Sequence, residues 1–201
     1  MSSGRRLSLL RHGETAPAGL IGQHDAPLSP LGLHQLQQRW AALDAVDPVR
    51  AVAASDLARC SDFATGMARQ HALPCTIDAA FRELDCGQLN GRPAATLDGD
   101  AARAYRDWQH DPAGALPGGE DWPAFTERID TGLKRWLAGS DDGHHVLVTH
   151  GGVIKALLLR WLDLPSSHHG RFWPGYAASV SVHWDPAWPP IVLAMAMEAP
   201  C

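Results

Sequence analysis

Short apolar runs alternate along this chain with longer stretches of helical period. Leu7-Ser8-Leu9-Leu10 is too short for a self-standing helix and suits a buried strand. Val49 to Ala54 is a second such run, Pro74 to Ile77 a weaker third, and His145 to Thr149 a fourth. The segments between them carry apolar residues at helical spacing. The first opens at Ser29-Pro30, a cap followed by a residue suited to a first helical turn. It carries Leu31, Leu36, Trp40 and Leu43, and ends before Pro48. A second helix is expected after Ser55-Asp56, two N-cap candidates, and runs to about Gln70. Further helices are predicted over 95–108, over 122–137 with Phe125, Ile129, Leu133 and Trp136 on one side, and over 153–162. The alternating stretch 178–184 and the run 191–197 read as two late strands, a hairpin at a sheet edge. Strands alternating with helices predict an α/β fold with a mostly parallel sheet.

Composition narrows the picture. A chain of 201 residues without internal repeats or low-complexity linkers fits one α/β domain, read here as 1–201. The 17 Lys and Arg against 22 Asp and Glu give a formal net charge of -5, with no basic block, so neither nucleic acid nor an anionic membrane is an expected partner. Cys60, Cys75, Cys86 and Cys201 are scattered without a CxxC pair, and no signal-peptide core opens the chain. A reduced cytoplasmic setting is expected. No run approaches the roughly 18 apolar residues of a membrane span.

The chemistry gathers at strand ends. Arg11 and His12 follow the first strand, Arg59 falls in the first turn of the helix after the second, and His150 stands between the fourth strand and the next helix. Glu83 lies in the loop 81–93 after the third strand. In a parallel sheet with crossover helices these ends share one edge, where open α/β sheets place ligands. Two arginines and two histidines converging in an otherwise acidic chain make a cation-rich pocket suited to a phosphoryl group. The turn Gly151-Gly152 at a helix start adds backbone donors and the positive end of a helix dipole. The inferred ligand is a phosphate, carried on a small substrate.

These residues sit in motifs that resemble a known family. LLRHGET at 9–15, the spaced GxxGxxDxPLSPxGxxQ from Gly19 to Gln35, SDLARC at 55–60, FRELDCGQLNG at 81–91, PGGED at 117–121 and VTHGGVIKALL at 148–158 are similar to those of the histidine phosphatase superfamily, also called phosphoglycerate mutase-like. Within it the chain is most similar to alpha-ribazole phosphatases of cobalamin synthesis. The resemblance implies a three-layer α/β/α sandwich and a two-step hydrolysis that needs no metal and no cofactor. It makes His12 the nucleophile that becomes a phosphohistidine, and has Arg11, Arg59 and His150 hold the phosphoryl oxygens. Glu83 falls at the general-acid position, while Gly13, Thr15 and Gly151 would support phosphate binding. The expected substrate is alpha-ribazole 5'-phosphate. A phosphoglycerate mutase, a broader phosphatase of sugar phosphates or phosphohistidine proteins, and a catalytically silent phosphoryl-binding module stay open as alternatives, as does a homodimer.

Two departures from the family's pattern are visible. Many members have an asparagine shortly after RHGET, where this chain reads Ala16-Pro17-Ala18-Gly19, so Gln23 or a backbone N–H is the expected substitute donor. Leu89-Asn90 replaces a common Trp-Glu before Gly91. Asp85 and Glu14 rival Glu83 as the acid, with Glu14 expected to pair with an arginine instead. His150 lacks the neighbours of a metal ligand such as HxH or HExxH. His144-His145 and His168-His169 default to surface or loop positions. The tryptophans default to packing, with Trp122 and Trp173 the two that could line a leaving-group pocket.

Overall fold

A computed structural model of the chain describes residues 4–16, 18–19 and 22–198; Pro17 and Cys201, named above, lie outside them. Its centre is a six-stranded sheet in the order β3-β2-β4-β1-β5-β6. The strands are β1 (Arg5–Arg11), β2 (Val49–Ala54), β3 (Cys75–Ile77), β4 (His144–Thr149), β5 (Ser179–Asp185) and β6 (Trp188–Ala196). β3, β2, β4 and β1 run parallel, whereas β5 and β6 add an antiparallel hairpin, as the late alternating pattern predicts.

Alternation along the strands divides the core in two. Leu7 and Leu9 of β1, Leu147 of β4, and Val180 and Val182 of β5 point to one face. There they meet α4 (Trp122–Ala138) and α5 (Gly151–Trp161) through Phe125, Ile129, Leu133, Ile154 and Leu158. Leu10, Val52, Val146 and Val148 point to the other. They pack on Leu36 and Trp40 of α1 (Pro30–Val46) and on Phe63 and Met67 of α2 (Ala58–His71). A mostly parallel sheet is thereby covered by helices on both faces, as such sheets must be. α3 (Gly99–His110) begins later than the predicted 95, because Ala94–Thr96 forms a separate 3-10 turn. Leu31, counted among the apolar positions of α1, is exposed; the buried stripe is Gly32, Leu36, Trp40 and Leu43.

The histidines of β4 correct a second expectation, since His144 and His145 are both buried. His144 Nδ1 lies 2.7 Å from the Asp47 carbonyl and donates to it, so Nε2 accepts from the Ser8 hydroxyl at 2.8 Å. Ser8 in turn pairs with Ser181 at 2.7 Å. The sheet's second face thus holds a fully partnered polar chain, which removes the penalty of burying it.

Candidate active site

β1 and β4 are adjacent and parallel, with Arg11 opposite Thr149. The residues that follow, His12 and His150, therefore emerge side by side, their rings edge to face at 5.3 Å. His12 is held by its backbone N–H to the Thr149 carbonyl at 2.8 Å. Its Nδ1 lies 2.7 Å from the Gly13 carbonyl, an acceptor only, so Nδ1 carries the hydrogen and Nε2 carries the lone pair. Gly13 itself is not at the cavity surface: a Cβ there would stand 2.0 Å from the Gly32 carbonyl, and the first turn of α1 packs against bare backbone.

Arg59 enters from the start of α2. Its guanidinium donates to the His24 carbonyl at 2.7 Å and the Gly22 carbonyl at 3.0 Å, and its Nε donates to His150 Nδ1 at 3.2 Å. His150 is fully buried, and the structure brings it to Arg59 and His12 rather than to the cavity wall. Arg11 donates to the Pro174 carbonyl at 2.8 Å, and its guanidinium stacks over Tyr176 at 4.5 Å. Tyr176 is 6.0 Å from the His12 ring as well. No sequence motif marked it; it reaches the site from the loop before β5.

Glu83 closes the opposite side. Oε1 accepts from the Leu84 N–H at 2.9 Å and Oε2 from the Gly152 N–H at 3.0 Å, at the N-terminus of α5. Its rivals are occupied elsewhere: Asp85 takes the Gly87 N–H and the Asn90 amide, and Glu14 takes the Ser29 hydroxyl rather than an arginine. Gln23 does not line the cavity; its amide donates to the Glu83 carbonyl at 3.0 Å. Asn90, the departure noted above, accepts from the backbone of both Gln23 at 2.8 Å and Cys86 at 3.0 Å, and so ties the loop after β1 to the loop of Glu83. Arg128 supports the same loop from α4, donating to the Ala80 carbonyl at 2.9 Å and the Arg82 carbonyl at 3.2 Å.

Electrostatics favour neutral imidazoles here. Burial, then the charges of Arg11 and Arg59, hold His12 well below its usual 6.5. Burial, then Arg59, His12 and Arg11, do the same to His150. A neutral His12 keeps its Nε2 lone pair available at neutral pH. Burial also lowers the Arg11 guanidinium, opposed first by the Glu83 carboxylate.

Arg11, His12, Arg59 and Glu83 share a cavity of about 250 Å³. Arg11, His12, Thr15, Arg59, Glu83 and Gly151 line it, as do Trp173 and the mutually packed rings of Tyr105, Trp108 and Trp122. Trp122 and Trp173 thus face the cavity, and His169, in the connection between α5 and β5 as expected, is buried in the cavity wall with Nε2 2.7 Å from the Gln109 carbonyl. His24 and Lys155 line it too, without having been singled out in the sequence. Among the described residues no group of three or more His, Cys, Asp or Glu side chains is placed to hold a metal ion, and no helix is long and apolar enough to cross a membrane.

Residues 7–194 match the histidine phosphatase superfamily (branch 1), and the chain belongs to that family. It is 33% identical over 190 residues to glucosyl-3-phosphoglycerate phosphatase of Mycolicibacterium vanbaalenii, covering 90% of this chain and 82% of the relative. It is 32% identical over 171 residues to adenosylcobalamin/alpha-ribazole phosphatase of Salmonella typhimurium, covering 83% and 84%. The solved structure of a mycobacterial glucosyl-3-phosphoglycerate phosphatase superposes with a TM-score of 0.83 at 28% identity, over 98% of this chain and all of that one. The fold is phosphoglycerate mutase-like, and the protein is a phosphoric monoester hydrolase.

Proposed function

We propose that the chain hydrolyses small phosphate monoesters in two steps through a phosphohistidine on Nε2 of His12, without a metal. The observation that carries this is the hydrogen bond from His12 Nδ1 to the Gly13 carbonyl, which fixes the tautomer with its lone pair on Nε2. Arg11, Arg59, Thr15 and the N-terminus of α5 at Gly151 face the space where the phosphoryl oxygens would lie. His150 acts through its neighbours, accepting from Arg59 and packing edge-on against His12. Glu83, fixed by two backbone N–H groups, keeps a lone pair on each oxygen for a proton.

In the first step Nε2 attacks phosphorus as the bond to the leaving oxygen breaks, and that oxygen takes the proton held by Glu83. In the second step Glu83 takes a proton from water, whose oxygen displaces Nε2 and releases inorganic phosphate. Free thiols at Cys60, Cys75 and Cys86 support a reducing, cytoplasmic setting.

Two leaving groups have support. The aromatic wall of Tyr105, Trp108 and Trp122 favours the base of alpha-ribazole 5'-phosphate, the ester suggested by the sequence motifs. Lys155, inside the same cavity, favours an anionic leaving group. The test is phosphate release, with a chelator present, from alpha-ribazole 5'-phosphate, 3-phosphoglycerate, sugar phosphates and p-nitrophenyl phosphate. Turnover that persists in chelator is expected; a strict requirement for added divalent metal contradicts the mechanism, and tight ester binding without turnover would identify a silent module.

A further inference from the structure

Lys155 is one of two lysines in the chain, and the two differ in their surroundings. Lys134 pairs with Asp130 at 2.6 Å on the outside of α4. Lys155 stands in the otherwise apolar run Val153 to Leu159 of α5, where Val153, Ile154, Ala156, Leu157, Leu158 and Leu159 are all buried. It follows Gly151 and Gly152 by four and three residues, so the same helix face that presents backbone to the cavity presents this side chain one turn later.

The ammonium is half-buried and lines the cavity, yet makes no hydrogen bond or ion pair with any described residue. Among the described residues it stands over the face of Trp173, with Nζ 5.4 Å from the ring centroid. Burial lowers its pKa, and the attraction of Glu83 opposes that. Glu83 attracts it from beyond ion-pair contact, its two carboxylate oxygens being turned to the Leu84 and Gly152 N–H groups. A partly desolvated cation without a counter-charge is costly, and a bound anion removes that cost.

We propose that Lys155, backed by Trp173, binds a carboxylate on the leaving group, so that the preferred substrates are phosphate monoesters of hydroxy acids. The inference rests on the phosphatase reading and deepens it. One ammonium matches one negative charge; a second phosphate would bring about two negative charges to a single cation, since Arg11 and Arg59 stand beside His12. The aromatic wall then packs against the apolar or sugar part of the acid instead of selecting a base.

The experiment compares two esters that differ only at this group, 3-phosphoglycerate and glycerol 3-phosphate, in the wild-type protein and in Lys155→Met and Lys155→Arg. The wild type should favour 3-phosphoglycerate in kcat/KM by about 10- to 100-fold, the scale of a charge-assisted contact. Lys155→Met should erase that ratio, chiefly through KM of the acid, and Lys155→Arg should restore most of it. An equal loss on both esters in Lys155→Met, or a wild type that does not distinguish them, overturns the proposal while leaving the phosphatase intact. A larger Lys155-dependent preference for fructose 1,6-bisphosphate over fructose 6-phosphate overturns the choice of carboxylate over phosphate. If the wild type hydrolyses neither these nor p-nitrophenyl phosphate, the phosphatase reading fails and the proposal with it.

Discussion

A methyl group at position 152 has nowhere to go: a Cβ there would stand 2.1 Å from Glu83 Oε1. Gly152→Ala should therefore push the carboxylate off its two N–H donors. General acid catalysis contributes typically about 10²- to 10⁴-fold, so kcat/KM on an alkyl phosphate, which reports only the steps up to release of the leaving group, should fall by about that factor. An aryl phosphate, whose leaving group needs little protonation, should lose far less of its kcat/KM. Glu83→Gln should show the same split between alkyl and aryl substrates. Equal losses of kcat/KM on both would place Glu83 outside the proton transfer to the leaving oxygen. His12 depends on its neighbour in a similar way, because a single carbonyl at Gly13 decides which ring nitrogen is free.

At the scale of elements, α2 and its arginine are held from a distance. The helix has no side-chain cap of its own; the Ala58 N–H donates to Asp25 at 2.8 Å, across from the loop after β1. Ser55 and Asp56 looked like the caps in sequence, but Ser55 accepts from the Leu57 N–H and Asp56 pairs with Arg82 at 2.6 Å. Losing an N-cap costs about 0.5–2 kcal/mol, which for a chain of this size lowers Tm by about 1–8 °C. Asp25→Ala should show that drop in a thermal melt, with a higher KM because the His24 and Gly22 carbonyls that seat Arg59 belong to the same loop. An unchanged Tm would mean that solvent caps the helix equally well.

What sequence could show follows the same division. Strands β1, β2 and β4 were legible because an apolar run bounded by polar turns has one economical use, and Arg11, His12 and His150 followed as the residues at their ends. Features settled by partners far along the chain were not. The cap of α2 comes from Asp25, the buried place of His144 from the Asp47 carbonyl, and the role of Tyr176 from a loop that only the finished sheet brings under Arg11. Lys155 reads as an ordinary solvated charge until the helix is seen to be buried all round it.

Across the whole molecule, burial lowers five histidines, His12, His144, His145, His150 and His169, below their usual 6.5. Below that pH the unfolded chain takes up protons that the fold does not, so unfolding is favoured as acid is added. The stabilisation is complete above about pH 7 and is lost as pH falls below the usual histidine value. The Tm should be distinctly lower at pH 5.5 than at pH 7.5. A Tm that held steady or rose on acidification would mean that these rings are protonated in the folded protein.

The central claim is that phosphate passes through His12, and trapping the phosphoenzyme tests it most directly. Wild-type protein mixed with excess p-nitrophenyl phosphate and quenched in base within a turnover should gain one phosphoryl group by intact mass. The group should map to His12, survive in base and be lost in acid. His12→Ala, with circular dichroism unchanged, should neither gain it nor release phosphate. Phosphate release near the wild-type rate by His12→Ala, or a phosphoryl group on any other residue of the wild type, would contradict the account.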